Sequence, residues 1–205
     1  MPEKLDLKKR YKELYSAKAE PCLVQVPELR RIAVDGQGDP NDESVFGAAI
    51  EALYAAAYGL KFGLKKKRGL DWGVMPLEGD WWSTDLSTFS MDAKTDWFWT
   101  LSIVQPAEVA EAEVLEALDE ARRKKPGNAF AAGLRFEHKS AHEAAHILHL
   151  GPYEAEPPTI ARLHAFIADQ GLTMAGEHRE IYLGDPRTAA PEKLKTIIRQ
   201  PVAPK

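Results

Sequence analysis

The segment 140–149 contains the pattern H-E-x-x-H, written as His142, Glu143 and His146. On a helix, two histidines four positions apart share a face and could bind Zn²⁺ while the glutamate activates a metal-bound water. The extended form of this motif needs a further histidine six positions beyond the second, and residue 152 is proline. Whether this segment forms a helix therefore decides between a zinc site and a chance match to the motif.

The composition is that of an ordinary globular protein. The 205 residues are 44% hydrophobic and 28% charged, with a formal net charge of −4, so a sizeable core can form and disorder is not expected. Basic clusters at residues 65–68 and 122–125 are too short for a nucleic-acid footprint and suit the last turns of helices. We therefore expect no direct nucleic-acid partner.

The single cysteine, Cys22, excludes an intrachain disulfide and offers no metal-ligand spacing. The amino terminus has no apolar stretch typical of a signal peptide, and no run of about eighteen apolar residues occurs. We therefore expect a cytoplasmic protein with no membrane span, no metal and no cofactor.

Hydrophobic periodicity predicts helices and strands in alternation. The predicted helices cover residues 5–15, 44–66 (capped by Asn41 or Asp42), 108–124 and 157–171, and the predicted strands cover 21–26, 29–34, 72–78, 97–104, 179–183 and 196–202. A loop is predicted from about 82 to 96. On the long helix, Tyr54, Tyr58 and Phe62 form a second row, which either widens the buried face or places aromatic rings over a cavity.

The two halves of the chain resemble each other. Residues 103–106, Ile-Val-Gln-Pro, correspond to residues 198–201, Ile-Arg-Gln-Pro, and each strand follows one that contains a glutamate, Glu78 or Glu180. Two strand-helix-strand-strand repeats result if residues 145–150 form the opening strand of the second.

That strand would remove the zinc site. In an extended chain His146 and His149 point to opposite faces, with His142 in the turn that precedes them, so the imidazoles cannot converge.

Several motifs together resemble the GyrI-like small-molecule-binding family, and its stand-alone bacterial branch in particular. They are Gly36-Gln-Gly-Asp-Pro-Asn41, Leu53-Tyr54 with Tyr58 and Lys61, Pro76-Leu-Glu-Gly79 followed by Trp81-Trp82, Leu148-His-Leu-Gly-Pro-Tyr153, Glu180-Ile-Tyr-Leu-Gly-Asp-Pro186 and Lys193-Leu-Lys-Thr-Ile-Ile-Arg-Gln-Pro-Val202.

The resemblance implies an α+β fold in which two strand-helix-strand-strand repeats are related by pseudo-twofold symmetry. An antiparallel sheet would carry two long helices that flank a central ligand groove. We expect a single domain over 1–205, with repeat one at about 22–106, a connecting helix at about 107–126 and repeat two at about 132–203.

In multidrug-sensing regulators, the family's module follows a DNA-binding domain and binds bulky, often cationic aromatic compounds. About 25 residues precede the module here, too few for a helix-turn-helix domain, so we expect a binding module without direct transcriptional function. The implied partner is a small hydrophobic or cationic aromatic molecule.

The family's pocket glutamate maps through the motif E-I-Y-L onto Glu180, and strand alternation places Tyr182 on the same face. An ionised Glu180 would counter a cationic ligand, whereas a desolvated one would carry a proton near neutral pH. A surface glutamate on an edge strand is the alternative without the resemblance.

The remaining predicted ligand contacts are aromatic or polar residues near this groove. Glu78 stands beside Trp81 and Trp82, and the tandem tryptophans either line the groove mouth or fill the core. The full predicted ligand-binding set is Tyr58, Glu78, Trp81, Trp82, Trp99, Tyr182 and His149.

Some stand-alone members of the family are hydrolases that open the cyclopropane of DNA-alkylating natural products and so protect the cell. Such chemistry needs an aromatic groove, an acid near the carbonyl and a base that directs water at the ring carbon. Glu180 is the predicted base, and Tyr54 or Tyr182 the predicted hydrogen-bond donor. The alternative is a non-catalytic protein that sequesters such compounds or presents them to a partner protein.

Overall fold

A computed structural model describes residues 4–83, 97–185 and 188–205 of the chain. In chain order the helices and strands are α1 (Leu7–Arg10), β1 (Cys22–Val26), β2 (Leu29–Gln37), α2 (Ala48–Arg68), β3 (Leu77–Ser83), β4 (Trp97–Gln105), α3 (Glu111–Lys124), α4 (Ala129–Gly133), β5 (Arg135–Lys139), β6 (His142–Leu150), α5 (Pro157–Asp169), β7 (Leu172–Met174), β8 (His178–Tyr182) and β9 (Lys195–Pro204). The chain is thus α+β, as predicted.

The chain divides into two compact units. Unit one comprises Met1–Arg10, Leu29–Met75 and Trp81–Lys139, and unit two comprises Tyr11–Glu28, Pro76–Asp80 and Ser140–Lys205. Strand β3 contributes its first residues to unit two and its last residues to unit one.

In unit one, β2 is the central strand and pairs antiparallel with β4 on one side and β5 on the other. Ile32 of β2 lies opposite Ile103 of β4 and Phe136 of β5, so apolar side chains meet across the three strands. Helix α2 packs on β2 and β4 and buries Leu53 and Leu60.

Helix α2 is preceded by a π-helical turn, Glu43–Gly47, whose first donors are satisfied by the side chain of Asp42. It ends at Arg68 and is capped by Gly69, which adopts the left-handed conformation with φ 72°. By length and composition alone, the stretch Glu43–Arg68 could cross a membrane. Its packing on β2 and β4 is that of a core helix.

In unit two, β6 pairs antiparallel with β1 on one side and β9 on the other, and β9 also pairs with β8 and with the short β7. The strand order in this unit is β1-β6-β9-β8, followed by β3. Helix α5 covers these strands, and the buried residues of their common core are Ala145, Ile147, Leu163, Ile167, Ile198 and Val202.

The strand predicted at residues 145–150 is confirmed as part of β6. Hydrogen bonding to β1 and β9 on both sides overrides the local helical signals of the H-E-x-x-H segment. Four residues of strand separate His142 from His146 by about 13 Å, too far for both to bind one metal ion. His142 is the first residue of β6, so its prediction as a turn residue is wrong.

Along the chain, the order strand, helix, strand, strand occurs twice, as predicted. The first set is β2, α2, β3 and β4, and the second is β6, α5, β8 and β9, with β7 inserted before β8. In each set the first strand pairs with the last. The predicted pseudo-twofold relationship and central groove stay predictions.

Three predicted elements need correction. The strand expected at 72–78 begins at Leu77, and Trp72 forms only an isolated bridge to Leu5. The helix expected at 5–15 is limited to α1, and the helix expected from 108 begins at Glu111. Residues 84–96 of the predicted loop lie outside the described residues.

Candidate functional site

Glu180 lies in β8 with 15% of its side chain exposed. The hydroxyl of Tyr182 donates to its Oε2 at 2.7 Å, and Nε2 of His178 lies 3.3 Å from its Oε1. Alternation along the strand places these three side chains on one face. Tyr182 thus lies on the same face of β8 as Glu180, and its hydrogen bond fixes the orientation of the carboxylate.

A second carboxyl, Glu156, lies beside Glu180. Glu156 is 4% exposed and precedes α5, yet its side chain makes no capping hydrogen bond to that helix. Burial raises the pKa of Glu156 to about 9, and the charge of Glu180 adds to the increase through Coulombic repulsion and a shared hydrogen bond. Near neutral pH Glu156 is therefore protonated.

Aromatic rings enclose one side of this carboxyl pair. Tyr153 packs edge-on against Tyr182, with ring centroids 5.6 Å apart and an interplanar angle of 78°. Burial raises the pKa of Tyr153 to about 12, and the negative charges of Glu156, Glu180 and Asp185 contribute. Tyr153 therefore remains a neutral phenol next to the acidic groups.

His149 ties β6 to the start of α5. Its Nε2 lies 3.1 Å from the carbonyl oxygen of Pro152 and its Nδ1 lies 3.0 Å from the hydroxyl of Thr159. A carbonyl only accepts, so Nε2 carries the proton and Nδ1 accepts from Thr159. His149 is 4% exposed, and with both nitrogens occupied it fixes the segment that carries Glu156. Its predicted ligand contact stays a prediction.

Glu78 belongs to a buried ion network. Arg179 donates to Glu78 Oε2 at 2.8 Å and, through Nε and a terminal nitrogen, to both oxygens of Asp80 at 2.6 and 2.9 Å. Tyr15 donates to Glu78 Oε1 at 2.5 Å. Burial and the charge of Glu78 raise the pKa of Tyr15 well above 10.0, so the phenol stays protonated. Glu78 is 0% exposed, and both its oxygens are used within the protein.

The remaining predicted site residues lie in unit one. Trp99 is fully buried, with its ring against Gly36 and Phe46, and Trp81 stacks on Phe46 at 5.8 Å. These two tryptophans pack as core residues. Trp82 stacks on Phe98 with centroids 6.1 Å apart.

The aromatic row of α2 is partly exposed. Tyr54 and Tyr58 stack at 6.0 Å, and Tyr58 stacks on Phe62 at 5.9 Å. Tyr58 is 44% and Phe62 57% exposed, so this row extends beyond the buried face of the helix. The catalytic role predicted for Tyr54 and the ligand contacts predicted for Tyr58 and the tryptophans stay predictions.

Within residues 4–83, 97–185 and 188–205, no group of three or more His, Cys, Asp or Glu side chains is arranged to hold a metal ion. The chemistry available at Glu156 and Glu180 is proton transfer, because one carboxyl is protonated while its neighbour can accept.

Glu156 was missed by sequence reasoning. Its one local signal is an acidic residue directly before Pro157-Pro158, where a carboxylate normally suits a helix N-terminus through the macrodipole. Nothing local indicates that this carboxyl turns towards β8, because the contact depends on how α5 packs over the strands.

The family model described as the GyrI-like small molecule binding domain matches residues 19–203. A conserved uncharacterised protein from Listeria innocua is 37% identical, with 98% of this chain and 100% of that chain covered and a TM-score of 0.88. A hydrolase from Listeria innocua is 36% identical, with the same coverage and a TM-score of 0.86.

A more distant similarity concerns the fold alone. The C-terminal domain of EcmrR is 14% identical, with 91% of this chain and 98% of that chain covered and a TM-score of 0.56. No curated protein matches the chain.

Proposed function

The chain belongs to the GyrI-like small molecule binding domain family, and we propose that it is a hydrolase whose reacting groups are Glu156 and Glu180. The observation that carries this proposal is the carboxyl pair in which a buried, protonated Glu156 lies beside the half-buried Glu180. Further support comes from the Listeria innocua hydrolase, which is 36% identical over 98% of the chain.

The two carboxyls divide the work of acid and base. Glu180 is fixed by Tyr182 and lies next to His178, so it is the group positioned to accept a proton from an attacking water. Glu156 is the acid, because burial next to Glu180 keeps it protonated at neutral pH.

The proposed substrate is a flat, hydrophobic compound with a cyclopropane conjugated to a dienone. Water attacks a ring carbon and gives its proton to Glu180, while the ring C–C bond breaks and its electron pair moves into the dienone. The resulting oxyanion takes the proton of Glu156. The product has gained one water, and the proton on Glu180 returns to Glu156 through their contact, which restores the pair.

The aromatic surroundings suit this class of molecule. Tyr153 and Tyr182 present an edge-to-face pair next to the carboxylate, and aromatic faces bind flat or cationic compounds. This arrangement also favours the second candidate function, which is binding of a cationic aromatic compound without turnover.

Turnover separates the two functions. Purified protein is incubated with a cyclopropane-bearing dienone alkylator, and mass spectrometry detects the product that has gained one water. We expect turnover by the wild type and a loss of about 10²-fold or more in Glu180→Gln. Glu156→Gln should lose activity as well, because its amide cannot supply the proton.

The matched control is Glu192→Gln, which replaces an exposed glutamate of the same unit. It should turn over the compound at the wild-type rate. Binding is followed in parallel by fluorescence titration with the unreactive, cyclopropane-free analogue. Binding without turnover in the wild type would select the non-catalytic function, and wild-type turnover in Glu180→Gln would contradict the assigned base.

A further inference from the structure

His178 is a polar contact of Glu180 that the proposed reaction leaves without a role. Its Nε2 lies 3.3 Å from Glu180 Oε1, and the two side chains are 12% and 15% exposed. On the other oxygen, Oε2, Glu180 accepts from the Tyr182 hydroxyl at 2.7 Å. His178 and Tyr182, which lie two positions before and after Glu180, therefore each contact one of its two carboxylate oxygens.

The strand fixes the spacing of these three side chains. His178, Glu180 and Tyr182 occupy alternate positions of β8, and β8 is paired residue by residue with β9, where Glu180 lies opposite Ile198 and Tyr182 opposite Thr196. Two donors on opposite oxygens allow the carboxylate plane one orientation. A base held in this way needs no reorganisation when its substrate arrives.

We propose that His178 is a positioning residue for Glu180, whose Nε2–H holds Oε1 while Tyr182 holds Oε2. This inference rests on the proposed function of Glu180 as the base. It assigns His178 the Nε2–H tautomer, since the carboxylate oxygen can only accept.

Two titratable groups face His178. Glu180 faces it from its own strand, and His164 faces it from α5. Burial and the charge of His178 lower the pKa of His164, so a positive charge on both rings is disfavoured. Behind Glu180, the protonated Glu156 adds no negative charge at neutral pH. A positive charge on His178 would stabilise the charged form of Glu180 and make it a weaker base.

Two substitutions at position 178 separate positioning from simple packing. The side-chain nitrogen of glutamine can occupy the place of Nε2, so His178→Gln keeps the donor and removes the titration. His178→Leu removes both. We expect His178→Leu to lose about tenfold in kcat with KM within about twofold, and His178→Gln to retain most of the wild-type kcat.

The pH profile provides a readout that packing alone would not move. Between pH 8 and pH 5, the range in which histidine changes charge, turnover of His178→Gln should fall less than that of the wild type. His142→Gln, a substitution at the start of β6, is the control and should keep the wild-type profile. Equal kcat values and equal pH profiles for wild type, His178→Gln and His178→Leu would overturn the proposal.

An NMR measurement tests the contact without any substrate. The ring ¹⁵N signals of His178 at pH 8 should show a proton on Nε2, and Glu180→Gln should move the signal of that proton upfield, whereas Glu192→Gln should not. A protonated Nδ1, or a signal unaffected by Glu180→Gln, would overturn the assignment. If this result is as expected but no compound is turned over, the proposed hydrolase fails while the contact between His178 and Glu180 stands.

Discussion

Arg179 and Glu180 leave β8 on opposite faces of the strand. Arg179 is 7% exposed and donates to Glu78 and Asp80 in the buried ion network. Glu180 contacts Tyr182, His178 and Glu156 on the other face. One face of the strand is thus anchored by an ion network, and the other presents the candidate base at a fixed position.

Loss of the Arg179 guanidinium should destabilise the fold strongly. In Arg179→Met, Glu78 and Asp80 remain buried at 0% and 3% exposure and lose the cation that both contact. We expect the free energy of unfolding in urea to fall by about 3–5 kcal/mol. Arg162→Met, at an arginine that is 51% exposed, should change it by less than about 0.5 kcal/mol.

If Arg179→Met does not fold, the triple variant with Glu78→Gln and Asp80→Asn removes the unpaired negative charges and should recover folded protein. If the free energy of unfolding falls as little in Arg179→Met as in Arg162→Met, the ion network contributes little to stability.

Glu156 should make the protein less stable as the pH rises. Its pKa in the folded state, about 9, lies above the ordinary value of 4.5. The unfolded chain therefore releases this proton first, and the folded state loses stability between these two values. Glu156→Gln cannot ionise, so its stability relative to the wild type should be about 4–5 kcal/mol greater at pH 8 than at pH 4.

The measurement is the urea midpoint at several pH values, with Glu192→Gln as the exposed control. A Glu156→Gln curve parallel to that of the wild type would contradict the raised pKa of Glu156.

His146 should make the protein less stable as the pH falls. Burial lowers its pKa to about 4, and the charge of Arg199 contributes. Because the folded value lies below the ordinary value of 6.5, the unfolded chain binds the proton first, and stability falls as the pH drops from 6.5 towards 4. His146→Leu should lack this acid loss, which we expect to reach about 3 kcal/mol at pH 4.

Thermal unfolding at pH 7 and pH 4 measures the effect, and His142→Leu serves as the control in the same strand. If His146→Leu loses as much stability between pH 7 and pH 4 as the wild type does, other groups are responsible for the acid destabilisation.

Gly36 should be intolerant of a side chain. A Cβ at this position would lie 2.0 Å from Cη2 of the buried Trp99 ring, so the ring or the strand would have to move. We expect Gly36→Ala to lower the free energy of unfolding by about 1–3 kcal/mol. Gly59→Ala, in α2 with no atom within 4 Å of the new Cβ, should raise it by about 0.5–1 kcal/mol. Equal effects of the two substitutions would show that the ring against Gly36 adjusts freely.

Local sequence patterns predicted most of the strands, and they predicted which face of β8 carries Glu180. Alternation in His178–Tyr182 is sufficient to place Glu180 and Tyr182 on the same side, because side chains in a strand repeat every two residues. The internal similarity of the two halves also predicted a strand at residues 145–150, against the local helical signals. The starts of β3 and α3 were predicted less well, because neighbouring polar and proline residues are compatible with either structure.

The tertiary structure decided which charged groups are buried together. Glu78 and Glu180 occupy corresponding places in the two halves of the sequence, yet Glu78 is enclosed by Arg179 and Tyr15, whereas Glu180 meets Glu156. Neither outcome has a local signature, because burial and charge pairing depend on side chains brought together by the packing of α5 and β3 against the strands. The sequence by itself thus determined the face on which Glu180 lies, and only the tertiary structure supplied the second carboxyl that gives it a proton partner.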